Sequence, residues 1–140
     1  MRREFNAGCG CASGLDLHDD HSGNLKLLKD NTTYSTILYT AAIIEQISKS
    51  PTCPGTGITG LSPFFLYAAY QAVHGPLEAP QQYIDECARE GVVEESAGGN
   101  RLIFCGMIKA LDEGVGNITA KLTECGLGSN TCVLLAAGTG

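Results

Sequence analysis

The sequence has no tryptophan and few charges, with only 17% of its 140 residues being Asp, Glu, Lys or Arg. Its nine basic residues are outnumbered by fifteen acidic ones, for a formal net charge of −6. The basic residues do not cluster. Arg2-Arg3 is too short a run, and Lys26 and Lys29 have acidic residues nearby. Contact with a phosphate backbone needs clustered cations, so nucleic acid is excluded as a partner class. No apolar run approaches the roughly twenty residues of a membrane span. The first residues, MRREFNAGCGCASG, lack the apolar core of a secretory signal.

What is present is one small domain's worth of chain, 44% hydrophobic and long enough to bury a core. Eighteen glycines lie between the apolar runs and mark turns. Seven cysteines accompany the glycan acceptor patterns Asn31-Thr32-Thr33 and Asn117-Ile118-Thr119. Those features belong to secretory-pathway proteins. They conflict with the missing signal segment unless the chain is an internal piece of something longer.

Residues 1–33 read as an irregular surface-loop segment, with the dense polar cluster LDLHDDH. Residues 34–48 read as a helix whose apolar face is Ile37, Leu38, Ala41, Ile44 and Ile47. Thr33 or Ser35 suits its N-cap. The prolines and glycines of 49–62 allow only a loop, which carries Cys53. Pro80 suits the first turn of a short helix, QQYIDECARE, that ends at Gly91. Residues 94–99 form a loop. Residues 101–125 carry a stripe of Phe104, Ile108, Leu111, Val115, Ile118 and Leu122, closed by Gly126 as a left-handed cap. Within that helix, Gly114 and Gly116 each cost about 1 kcal/mol relative to alanine. CVLLAA, 132–137, reads as a strand.

The chain is organised around SPFFLYAAYQAVHGPLEAP, residues 62–80. Its uncharged aromatic run, 63–70, reads as a fully buried strand. Gln71 and His74 follow at its end, where α/β proteins place their chemistry. The order helix, strand, helix, helix, strand has crossovers long enough for parallel pairing, so the expected class is α/β.

Three ordered blocks resemble the sulfatases of the arylsulfatase B type. They are YSTILYTAAI (34–43), PFFLYAAYQAVHGPLEAPQQYI (63–84) and MIKALDEGVGNITAKLTECGLGSNT (107–131). GLDL (14–17) is similar to a further family loop. The resemblance implies a partial alkaline-phosphatase-like α/β/α sandwich with parallel core strands, with 34–140 as a partial catalytic domain. It implies a sulfuric ester hydrolase that acts on a sulfate-ester small molecule or a sulfated glycan. The family uses a formylglycine nucleophile and a bound calcium, and the resemblance implies a lysosomal or extracellular location in the secretory pathway. His74 matches the histidine of the family's Val-His-x-Pro motif, which contacts the sulfate or its leaving oxygen. An imidazole can donate to an anionic oxygen and lend a proton to a departing alkoxide. On the residues alone, the better reading of His74 is a loop histidine that serves only local backbone groups.

Other family features are missing. No Cys/Ser-x-Pro-x-Arg segment occurs, and Cys53-Pro54 lacks the arginine. The family's calcium-binding Asp-Asn pair falls on Gly138 and Thr139. Glycine offers no side-chain oxygen, and threonine is a poor ligand beside carboxylates. This chain alone is therefore expected to be inactive and not to hold calcium. The other reading is a degenerate sulfatase-like module with a binding or structural role.

Further clusters read blandly. Asp16, His18, Asp19, Asp20 and His21 fit no metal-ligand spacing and read as a solvated loop. Cys9-Gly10-Cys11 is a weak redox or metal signal; disulfides suit it better, with partners unassigned. Cys105 reads as a buried thiol. Asp112 and Glu113 point in different directions on a helix and read as a solvated face with a packing role.

Overall fold

The computed structural model describes residues 33–57, 63–94 and 100–137, and the backbone of four two-residue strands. β1 (Arg3–Glu4) pairs antiparallel with β2 (Ser13–Gly14), and β3 (His18–Asp19) with β4 (Lys26–Leu27). These two ladders lie in the first of two compact units, Met1–Ser35. The second unit, Thr36–Gly140, holds the helices. They are α1 (Ser35–Ser48), α2 (Gln81–Arg89) and α3 (Arg101–Glu124), followed by a 3₁₀ turn at Gly128–Asn130.

The helix ends obey local chemistry. Pro80 precedes α2 and its carbonyl accepts from Tyr83 N at 3.1 Å. Gly91 ends α2 at φ +88°, and Gly126 ends α3 at φ +70°. Each glycine donates to the carbonyl three residues back. The following residues, Val92 and Leu127, donate to Cys87 O and Leu122 O. This is the paired Schellman arrangement that satisfies the last helical carbonyls. α3 begins differently. Its N-cap residue Asn100 makes no side-chain cap bond. Instead the Glu94 carboxylate accepts from Arg101 N at 3.2 Å and Leu102 N at 2.9 Å. A carboxylate there satisfies orphan donors and opposes the helix dipole. Glu94→Ala is expected to lower stability by about 1 kcal/mol, read from urea denaturation.

The buried helix faces coincide only in part with the stripes of large apolar residues: Ile47 and Leu122 are buried and Ile118 packs on the core, but the rest of each stripe is not buried. α1 buries Thr36, Thr40, Ile43 and Ile47, while Ile37 is exposed. α3 buries Gly106, Met107, Ala110, Gly114 and Leu122, while Phe104 and Ile108 are exposed. The reason is close approach. A Cβ added at Gly114 would lie 2.6 Å from Thr40 Oγ1, and one at Gly106 would lie 3.0 Å from Ala79 Cβ. Small residues on α3 let its neighbours come in, which turns the large side chains outward.

Two disulfides fasten this packing. Cys53 joins Cys125 across 72 residues, and Cys87 joins Cys105 across 18. Cys105 is thus a disulfide cysteine and not the buried thiol its position suggested. Cys53 and Cys125 lie in the core with Ile43, Ile47 and Leu122. Between α2 and α3, Tyr83 Oη donates to Glu113 Oε2 at 3.0 Å, and Lys109 Nζ donates to Glu90 Oε1 at 2.8 Å. Glu113 therefore has the packing role expected of it.

Burial, and then the Glu113 contact, hold the Tyr83 phenol above its ordinary pKa. The hydrogen bond to Glu90 holds the Lys109 ammonium above its own. Both folded values are raised. Their contribution is therefore complete below the unfolded pKa values, near pH 10, and is lost as pH rises through the folded ones. With free thiols blocked, the urea midpoint should fall above about pH 10. Tyr83→Phe should fall less steeply over the same window.

The two expected strands are a correction. Residues 63–70 and 132–137 carry neither helix nor turn, and neither belongs to a ladder among the described residues. Nor are they fully buried. Phe65 is 91% exposed, Tyr67 83% and Leu134 88%. Only Leu66 and Tyr70 of the first segment pack on the core. An extended segment is buried by sheet neighbours on either side, and the described residues supply none.

Candidate functional site

The site expected from sequence is the turn that follows 63–70. Tyr70 anchors it. Thr40 Oγ1 donates to Thr36 O at 2.8 Å and also contacts Tyr70 Oη at 2.8 Å. A threonine hydroxyl has one hydrogen, so with Thr36 O as its acceptor Tyr70 Oη is the donor to Thr40. The Tyr70 ring meets Tyr39 at a centroid distance of 6.4 Å and a tilt of 58°. These contacts fix the end of the segment on α1. The two threonines sit four residues apart, a spacing that places them on one helix face. That spacing was the available sign that the buried face, which Ile43 and Ile47 share, also takes in Thr36 and Thr40.

Past Tyr70 the chain turns. His74 N donates to Gln71 O at 2.9 Å. The His74 ring lies within 2.8 Å of Gly75 O through Nδ1, and the residue is exposed. A carbonyl only accepts, so this bond places the proton on Nδ1. Nε2 then carries the lone pair of the neutral ring and becomes a donor when the ring is protonated. The turn thus engages one imidazole nitrogen.

Beside the segment is an open hollow of 220 Å³ lined by Tyr39, Ala42, Ile43, Tyr67, Ala68, Ala69 and Tyr70. Its lining is apolar and phenolic, with no charged residue. It offers van der Waals surface and the hydroxyls of its tyrosines.

The other sequence candidates do not join His74. No group of three or more His, Cys, Asp or Glu able to hold a metal occurs among the described residues. Asp16, Asp20 and His21, like Cys9, Cys11, Asn31, Gly138 and Thr139, lie outside the described residues. His18 and Asp19 are described only as backbone of β3, paired with Leu27 and Lys26. The donor set at the family's calcium position can be judged by its chemistry alone. A glycine and a threonine do not replace two amide or carboxylate side chains, so these residues do not fit the ion. Asn117 is exposed on α3.

Residues 5–138 match the protein family described as Sulfatase. This chain belongs to the sulfatase family. Among curated proteins it is similar to Arylsulfatase J of Mus musculus, 31% identical over 128 residues. That alignment covers 91% of this chain and 19% of the mouse protein. The sulfatase chain thus spans about a fifth of the length of the curated relative it matches. No solved structure gives a significant match. The family implies an alkaline-phosphatase-like fold, of which the described residues show the helices. The arylsulfatase relationship was legible in the three sequence blocks, and each block contributes to the helix and turn arrangement just described.

Proposed function

We propose that this sulfatase chain is part of a sulfuric ester hydrolase catalytic domain, with His74 as the residue that meets the sulfate or its leaving oxygen. The observation that supports it most is the His74 turn itself. The ring is exposed, one nitrogen is committed to Gly75 O at 2.8 Å, and the other is left to serve as base or donor. As an imidazolium it donates to an anionic sulfate oxygen. Its Nε2 proton can pass to the departing alkoxide as the S–O bond breaks, a contribution of about 10²–10⁴-fold. The substrate class is a sulfate-ester small molecule or a sulfated glycan.

The chain by itself is proposed to be catalytically silent. Its sequence has no Cys/Ser-x-Pro-x-Arg nucleophile segment, and the calcium ligand positions are Gly138 and Thr139. The exposed Phe65, Tyr67, Leu134 and Leu135 support placement inside a larger domain. Aromatic and aliphatic side chains on unpaired backbone call for sheet neighbours. A location in the secretory pathway, lysosomal or extracellular, is part of the same reading. The two disulfides support it, since they persist in oxidising compartments.

The test is a graft. Residues 63–80 replace the matching segment of an active arylsulfatase, and turnover of an aryl sulfate is followed. The chimera is expected to keep activity. The same chimera with His74→Ala is expected to lose about 10²-fold or more in kcat. A His74→Ala chimera as active as its parent would remove His74 from the proposed role.

A further inference from the structure

We propose that Tyr70 is a positioning residue for His74, acting through two hydroxyls that pin the entry of the His74 turn to α1. The inference rests on the role proposed for His74 and adds how the imidazole is held in place. The turn bridges two anchors. Its exit is fixed by close packing on α3: a Cβ added at Gly106 would stand 3.0 Å from Ala79 Cβ and 3.2 Å from Ile84 Cγ1. The Cys87–Cys105 bridge then ties α2 to α3. The entry has no covalent tie. Residues 63–70 contain no cysteine and join no ladder among the described residues.

Tyr70 supplies the entry's anchor through its side chain. Its ring meets Tyr39 and packs on the cluster of Ile43, Ile47 and Leu122. Its hydroxyl donates to Thr40 Oγ1 at 2.8 Å, and Thr40 donates its one hydroxyl hydrogen to Thr36 O at 2.8 Å. Thr36 and Thr40 are both buried, which shields these bonds from competing water. Thr40 Oγ1 also occupies the space left by the missing side chain of Gly114, where an added Cβ would lie 2.6 Å away. The pin is therefore lodged between α1 and α3. Gln71 follows Tyr70 directly, and its carbonyl accepts from His74 N at 2.9 Å. A shift of Tyr70 moves the acceptor that closes the turn, and the imidazole moves with it. A reacting group displaced by about 1 Å can lose about 10²-fold in rate. The ring packing survives in Tyr70→Phe; the directional bond does not.

The test reads amide order parameters of the full oxidised chain by nitrogen relaxation. In the parent, residues 71–75 are expected near about 0.85, the value of rigid backbone. Tyr70→Phe and Thr40→Val should bring them below about 0.6 while α2 and α3 keep parent values. Thr40→Ser retains the hydroxyl and should retain the parent values. Gly114→Ala displaces Thr40 without altering either hydroxyl residue, and should lower the same amides. Glu94→Ala lowers stability away from the pin and should leave them unchanged. Parent values at 71–75 in both Tyr70→Phe and Thr40→Val, or an equal loss in Glu94→Ala, would overturn the proposal. Catalysis is read separately, in a chimera where residues 34–131 replace the matching segment of an active arylsulfatase. There Tyr70→Phe should lower kcat on an aryl sulfate about tenfold with KM unchanged, and Thr40→Ser should keep the parent kcat. If His74→Ala lowers kcat and Tyr70→Phe does not, the positioning role fails and the role of His74 stands. If His74→Ala has no effect, the role of His74 fails, and with it the catalytic purpose of the pin.

Discussion

Replacing Cys53 and Cys125 together by alanine is expected to destabilise the chain by about 4 kcal/mol. The bridge closes 72 residues, and the chain-entropy relation gives about 4 kcal/mol for a loop of that length. The same relation gives about 3 kcal/mol for the 18 residues between Cys87 and Cys105. The Cys53–Cys125 bridge has a second role. It ties the loop after α1 to the C-cap of α3, inside the cluster that supports Leu66 and Tyr70. Domains of this size have about 5–15 kcal/mol in all, so its loss should leave the His74 turn poorly anchored. The measurement is urea unfolding of the oxidised chain in a Cys132→Ser background, because Cys132 is an exposed free thiol and free thiols exchange with disulfides during unfolding. A loss below about 1 kcal/mol would show that the loop is held by packing alone.

Gly114→Ala and Gly116→Ala are expected to have opposite signs. Both positions are helical, and alanine gains about 1 kcal/mol over glycine in an open helix. At Gly116 a Cβ meets nothing within 4 Å, so Gly116→Ala should stabilise by up to about that amount. At Gly114 the Cβ falls 2.6 Å from Thr40 Oγ1. Thr40 is buried and fixed by Thr36 O and Tyr70 Oη, so it yields only by breaking those bonds. Overpacking costs about 1–3 kcal/mol, which outweighs the helical gain. The penalty should shrink by at least about 0.5 kcal/mol in a Thr40→Ala background, where the offending oxygen is gone. Equal stabilisation by both substitutions would contradict the close approach of α1 and α3.

These residues also show what the sequence can reveal. α2 was legible because Pro80 and Gly91 act locally, through a fixed φ and a left-handed cap. The end of α3 was legible for the same reason at Gly126. The buried faces were legible only in part: Ile47 and Leu122 lie on them, and Ile37, Phe104 and Ile108 do not. Periodicity weights large apolar side chains, whereas the helix contact selected Gly114, Gly106 and Thr40 for their size. The cap from Glu94 was missed because it comes from outside the helix, seven residues before Arg101. Disulfide partners were open because spacing alone does not decide pairing among seven cysteines. The run 63–70 was legible as non-helical, but burial depends on neighbours in space. His74 was found by motif. Its local turn is seen, with Nδ1 of the ring on Gly75 O.

The central proposal is a sulfatase chain that carries the His74 turn and is catalytically silent by itself. Aryl sulfate hydrolysis by the oxidised chain, with and without added calcium, tests it most directly. The account predicts no release above the rate without protein in either condition. Turnover that disappears in His74→Ala would contradict it, because it would require a nucleophile that the sequence shows no segment to provide.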